Sequence, residues 1–166
     1  MDRRSLLAGL ALTGLASQAW SASGNEAVTS SDEWRLIDQF AESLSAHDID
    51  AFSALFSETY INHQMSAAAP LPTGMPHKQI TVGIFSARLK GLPDLKVSVE
   101  AKVVTRDMIA ASFVYEGTHT QTYLSVPATG KRLRFTSCDI FRVADGKFAE
   151  HWGMGDIAGV MAQLRS

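Results

Sequence analysis

The chain has 166 residues, of which 15 are Lys or Arg and 17 are Asp or Glu, for a formal charge of −2. So weakly acidic a composition, with no basic cluster, weighs against nucleic-acid binding. Cys138 is the single cysteine, so no intrachain disulfide forms in any compartment. It reads as a small buried side chain rather than a nucleophile, because no neighbouring feature favours a thiolate.

Residues 1–23 predict an export signal. Asp2-Arg3-Arg4-Ser5-Leu6-Leu7 supplies a charged start, Leu6 to Leu15 a short apolar run, and Ala19-Trp20-Ser21 before Ala22 a small-x-small cleavage site. The apolar run falls short of the roughly 20 residues that a transmembrane helix needs. Paired arginines followed by Ser-Leu-Leu fit a twin-arginine signal, although a Sec signal can begin the same way. Residues 24–31 are small and polar and read as a linker, and 32–166 as one folded domain. The expected product is a periplasmic or secreted protein with no membrane segment after processing.

The first helix is predicted from Ser30 to Ala46, with Ser30 and Glu33 spaced as a capping box and Trp34, Ile37, Phe40 or Ala41, and Leu44 along one face. Asp48 or Asp50 then caps a short helix through Ala51–Phe56, and Tyr60-Ile61-Asn62-His63 leaves it in extended form. Met65 to Pro76 contains three prolines and reads as a loop at a pocket rim or on the surface. His77 to Leu89 is the third helix, with Ile80, Ile84, Phe85 and Leu89 facing the core.

From Val97 onward the pattern is nearly all strand. Val97, Val99, Ala101 and Val103 alternate with polar residues, Thr105-Arg106-Asp107 turns, and Met108 to Gln121 forms a long strand with Ile109, Ala111, Phe113, Tyr115, Gly117 and His119 on one face. Thr120 to Val126 and Arg132 to Val143 complete the sheet. Asp145-Gly146 marks a hairpin. A two-residue loop would pair Asp139 with Trp152 and send His151 to the other face, since strand side chains alternate. A three-residue loop of Ala144-Asp145-Gly146, with Gly146 at positive φ, sets Asp139 opposite His151 among Phe135, Ser137 and Phe141, and is the register expected here. Asp156 N-caps a last helix, Ile157 to Leu164. Helices followed by a mostly antiparallel sheet make an α+β domain.

The stretch from Asp139 to Trp152, DIFRVADGKFAEHW, with Asp156 and Gln163-Leu164 behind it, resembles the C-terminal signature of the SnoaL-like polyketide (ester) cyclases, members of the nuclear transport factor 2-like superfamily. Tyr60-Ile61-Asn62-His63, Gly117-Thr118-His119 and Pro127-Ala128-Thr129-Gly130-Lys131 fall in the order the family uses, so the resemblance runs from about Trp34 to Leu164. It implies a cone-shaped α+β fold enclosing an apolar pocket, a homodimer through the convex side of the sheet, and intramolecular aldol ring closure without cofactor. The chain departs from the family's cyclases at two positions. Their acid/base aspartate is replaced by Gly153, and a histidine of theirs by Asp139.

No H-x₃-H or C-x-x-C spacing, phosphate loop or nucleophile elbow is present, so neither a metal nor a cofactor is expected. The chemistry left to a buried aspartate, several histidines and an apolar cavity is acid–base work. Asp139 and His151 are the candidate catalytic pair. Asn62, His63 and His119, with Phe135 and Phe141, are the candidate ligand contacts. The expected function is that of a cyclase, isomerase or hydrolase acting on a small hydrophobic carbonyl compound; the alternative is a non-catalytic periplasmic protein that binds such a ligand.

Overall fold

The computed structural model describes residues 34–64 and 72–166. The export signal, the linker and the Ser30–Glu33 capping box lie outside the described residues, as do the first seven positions of the Met65–Pro76 loop.

The helical half comprises α1 (Arg35–Ser45), α2 (Ile49–Ala54) and α3 (His77–Gly91), with β1 (Phe56–Asn62) between the last two. Leu36, Ile37, Phe40, Ala41 and Leu44 recur at helical spacing and are buried. Of the two possible caps for α2, Asp48 is used: its Oδ1 accepts from Ala51 N at 2.8 Å. Phe56, expected as the end of that helix, instead opens β1.

The remaining elements are β2 (Lys96–Val104), β3 (Met108–Thr118), β4 (Arg132–Ala144), β5 (Lys147–Gly155) and α4 (Ile157–Arg165). They form a five-stranded sheet in the order β1-β5-β4-β3-β2, antiparallel except for the parallel pair β1 and β5. Asp156 N-caps α4, its Oδ1 accepting from Gly159 N at 2.8 Å. The odd-numbered residues of β3 and β4, including Ile109, Phe113, Tyr115, Leu133, Phe135 and Phe141, face the helices and are buried. Phe40, Phe52, Phe56, Phe113, Phe141 and Phe148 interlock there with ring centroids 4.2–6.3 Å apart.

Three sequence expectations are corrected. Thr120–Val126 is not a sheet strand, because Leu124 and Ser125 take positive φ and close a tight turn bridged by Tyr123 and Val126. Cys138 is exposed, since it alternates with Asp139 and so faces outward. The hairpin loop has two residues: Ala144 pairs with Lys147, and Asp145 and Gly146 both take positive φ, 51° and 68°.

A two-residue loop by itself would turn His151 away from Asp139, but the ladder does not run straight. Its register shifts between Arg142, paired with Glu150, and Val143, paired with Phe148, which leaves Ala149 as an extra residue in β5. The bulge returns His151 to the concave face, opposite Phe141, while Asp139 stands opposite Gly153. Asp139 and His151 are therefore diagonal rather than direct neighbours.

Candidate functional site

A cavity of 370 Å³ lies between the concave face of the sheet and α3, a size suited to a small ligand. Phe40, Phe56, Phe85 and Phe141 make its apolar wall, and its polar groups include Asn62, Arg88, Ser137, Asp139 and His151.

The Asp139 and His151 side chains meet there, each about one-tenth exposed, with Nε2 2.8 Å from Oδ1. The contact exists because Gly153 has no side chain. A Cβ at that position would lie 2.1 Å from Asp139 Oδ1 and 2.5 Å from His151 Nε2. On its other edge the imidazole faces Asn62, with Nδ1 3.1 Å from Oδ1. That amide oxygen also accepts from Gln64 N at 2.9 Å, and Asn62 Nδ2 points to Thr81 Oγ1 at 3.4 Å. The Asn62 oxygen being an acceptor, His151 Nδ1 carries a hydrogen. One further proton then lies between Nε2 and the Asp139 carboxylate. Ser137 Oγ donates to Asp139 Oδ2 at 2.5 Å, and the Tyr115 hydroxyl lies 3.4 Å from Ser137 Oγ. Phe141 stacks on the imidazole, centroids 4.8 Å apart. The result is a shared-proton pair, oriented from both ends and open to an apolar cavity.

Two phenols flank it in the neutral form. Burial pushes the Tyr115 hydroxyl up to about 12 against the opposing pull of Arg88. Burial likewise raises Tyr60 well above the usual tyrosine value, against the opposing pull of the Thr81 hydroxyl.

Of the ligand contacts expected from sequence, Asn62 and Phe141 line the cavity and three residues do not. His63 is on the convex side, stacked on Trp152 at 4.5 Å and 2.7 Å from Glu150. There it and Arg142 hold the Glu150 carboxyl below its ordinary value. Asn62 and His63 are consecutive in an extended segment, so only one of them can face inward. His119 is fully buried beyond the end of β3, where its Nδ1 meets Thr129 Oγ1 at 2.9 Å and accepts from Thr129 N at 3.2 Å. Its backbone still exchanges hydrogen bonds with Lys131 and Gly130, but it lies past the last residue of β3 and away from the cavity. Phe135 sits behind the cavity wall, stacked on Tyr115 with centroids 5.0 Å apart.

Arg88 was not foreseen. It lies on α3, one turn beyond Ile84 and Phe85, and lines the cavity although only 9 % exposed. The available signal was an arginine at the i+4 position of an apolar stripe. Among the described residues no group of three or more His, Cys, Asp or Glu side chains is placed to hold a metal ion.

Residues 35–164 match the family model described as SnoaL-like polyketide cyclase. The chain belongs to that family. Its fold is the cone-shaped one of the nuclear transport factor 2-like superfamily, shared with solved SnoaL-like structures. TsrD from Streptomyces laurentii is 22% identical with a TM-score of 0.70, over 81% of this chain and 96% of that one. IdmH from Streptomyces antibioticus is 27% identical with a TM-score of 0.69, over 81% and 99%. A SnoaL-like polyketide cyclase from Agrobacterium tumefaciens is 16% identical with a TM-score of 0.62, over 80% and 97%. None of the curated proteins matches the sequence.

Proposed function

We propose that this SnoaL-like protein is a cofactor-independent acid–base enzyme that moves a proton next to a carbonyl group in a small hydrophobic compound. The 2.8 Å contact between His151 Nε2 and Asp139 Oδ1 at the cavity wall carries the reading. Asp139 is the proton acceptor, because its carboxylate borders the cavity while both ring nitrogens of His151 already carry a hydrogen. When Asp139 takes the substrate proton, His151 keeps its Nε2 hydrogen and can donate it to the carbonyl oxygen as charge develops there. Such proton transfers serve an aldol cyclisation, an isomerisation or the opening of an activated ester alike.

A panel of polyketide-like 1,3-dicarbonyls, enones and lactones tests this. At least one is expected to be converted without added metal or nucleotide, and the activity to disappear in Asp139→Asn. Saturable binding of several of these compounds with no conversion of any would instead identify a ligand-binding protein.

The proposal extends to a secreted homodimer. Residues 1–23 are patterned as an export signal, and Ile61, Ile140 and Met154 stand 44%, 41% and 77% exposed on the convex face, an apolar patch that needs a cover. Mature protein recovered from outside the cytoplasm is expected to begin near residues 21–24 and to sediment at twice the mass of one chain. An intact N-terminus or a single-chain mass at micromolar concentration would refute the corresponding half of this proposal.

A further inference from the structure

We infer that Arg88 is an oxyanion anchor within the cavity, and that the ligand carries two oxygens sharing one negative charge, as in a carboxylate or an ionised 1,3-dicarbonyl. That this ligand is a substrate rests on the acid–base reading; the anchor itself does not.

A guanidinium stays protonated at every physiological pH, and burying one is unfavourable unless its charge and its N–H groups are met. Here neither is fully met by the described residues. No carboxylate among the described residues forms an ion pair with Arg88, and its hydrogen bonds go to neutral phenols, from Nε to the Tyr123 hydroxyl at 3.1 Å and to Tyr115. Asp139 acts on it electrostatically, but that carboxylate is already taken by His151 and Ser137. The neighbouring phenols bring no charge, since burial keeps Tyr115 neutral up to about pH 12.

The aromatic neighbours account for the faces of the group and leave its edge. The guanidinium carbon lies 4.6 Å from the Phe85 centroid, 4.8 Å from that of Tyr115 and 5.4 Å from that of Phe135. The ring contacts attract the cation and hold its plane without using up the Nη1 and Nη2 hydrogens. The Tyr115 hydroxyl takes one contact from the guanidinium, which leaves the rest of that edge toward the cavity the residue lines. A fixed planar fork of this kind matches a two-oxygen anion in a bidentate hydrogen bond. With Asp139 and His151 lining the same cavity, an anion seated on Arg88 would lay its apolar body along Phe40, Phe85 and Phe141 and present a nearby carbon to the pair.

The probes are 2-naphthoate and its uncharged counterpart 2-naphthamide, titrated calorimetrically into the full chain. The wild type is expected to bind the carboxylate at least about tenfold more tightly than the amide, as a bidentate charged contact provides. Arg88→Met should abolish that preference and leave amide affinity nearly unchanged, and Arg88→Lys should restore part of it. Equal wild-type affinities, a preference that persists in Arg88→Met, or no naphthoate binding at millimolar concentration would each overturn the anchor. The wild-type comparison decides even if Arg88→Met does not fold. In Asp139→Asn the carboxylate preference should remain, so a protein that prefers the anion but converts nothing leaves this inference standing while the acid–base reading falls.

Discussion

Asp139→Asn and His151→Gln are each expected to lower kcat by roughly 10²–10⁴, the usual scale of general acid–base catalysis, and the double variant to lose little more than either alone. Groups that share one proton act as a unit, so removing the second partner removes nothing that still functions. The 2.8 Å contact and the Asn62 oxygen on Nδ1 make this a strong expectation. Folding should survive both changes, because an asparagine at 139 still offers an oxygen or an amide to His151 and Ser137, and a glutamine at 151 keeps a polar end near Asn62. Losses that multiply in the double variant would show two independent groups, and unchanged turnover in His151→Gln would end its role as proton donor. Asn62→Ala extends the same measurement. It should reduce kcat less than either catalytic change, since it frees the imidazole to tilt and leaves the proton in place.

Gly153→Ala is the second large effect. The new methyl carbon would stand 2.1 Å from Asp139 Oδ1 and 2.5 Å from His151 Nε2, distances at which the two side chains cannot both hold their places. Either the pair opens or β5 backs away from β4. Overpacking a buried site in this way costs about 1–3 kcal/mol of stability, and kcat should fall by at least roughly 10², because a displacement of about 1 Å is enough to disturb a proton-transfer geometry. The two measurements together separate the causes. A variant that melts lower but retains wild-type kcat would mean that the strand moved and the contact reformed, and would remove Gly153 from the account of the site. Full stability with full activity would mean that the close approach of Asp139 to His151 is not needed at all. The space that Gly153 leaves open is what lets a carboxylate on β4 reach across to β5.

Much of the fold follows from local chemistry that a sequence displays. The stripe from Leu36 to Leu44 buries one face of α1 because a helix brings those positions together every 3.6 residues. Asp48 and Asp156 cap their helices because a carboxylate meets unpaired N–H groups at a helix start. Asp145-Gly146 turns the hairpin because both residues tolerate positive φ. Alternation along β4 placed Phe135, Ser137, Asp139 and Phe141 on one face, and the order of motifs along the chain indicated the family. What the sequence determined, then, is the set of elements, their inward faces and the candidate pair.

The assembly of the site depended on contacts between distant segments. His151 reaches the concave face only because the ladder slips by one residue at Ala149, and a bulge of that kind is set by the packing of Val143 and Phe148 into the core rather than by any turn signal. A longer hairpin loop predicted the right face through the wrong register. His119 carries the same inward parity as Tyr115, yet lies outside the cavity because it sits past the end of β3, its ring held by Thr129 just before the carbonyl of Gly91, 28 positions earlier in the chain, accepts from Thr120 and Gln121 and turns the chain away. Arg88 looks like any solvated helix arginine until Phe85, Tyr115, Phe135 and Tyr123 close around it from three other segments and α3 itself. Periodicity and capping are settled within a few residues of the chain. Strand register and the burial of a charge are settled by groups far apart in sequence, and for that reason only the tertiary structure decided them.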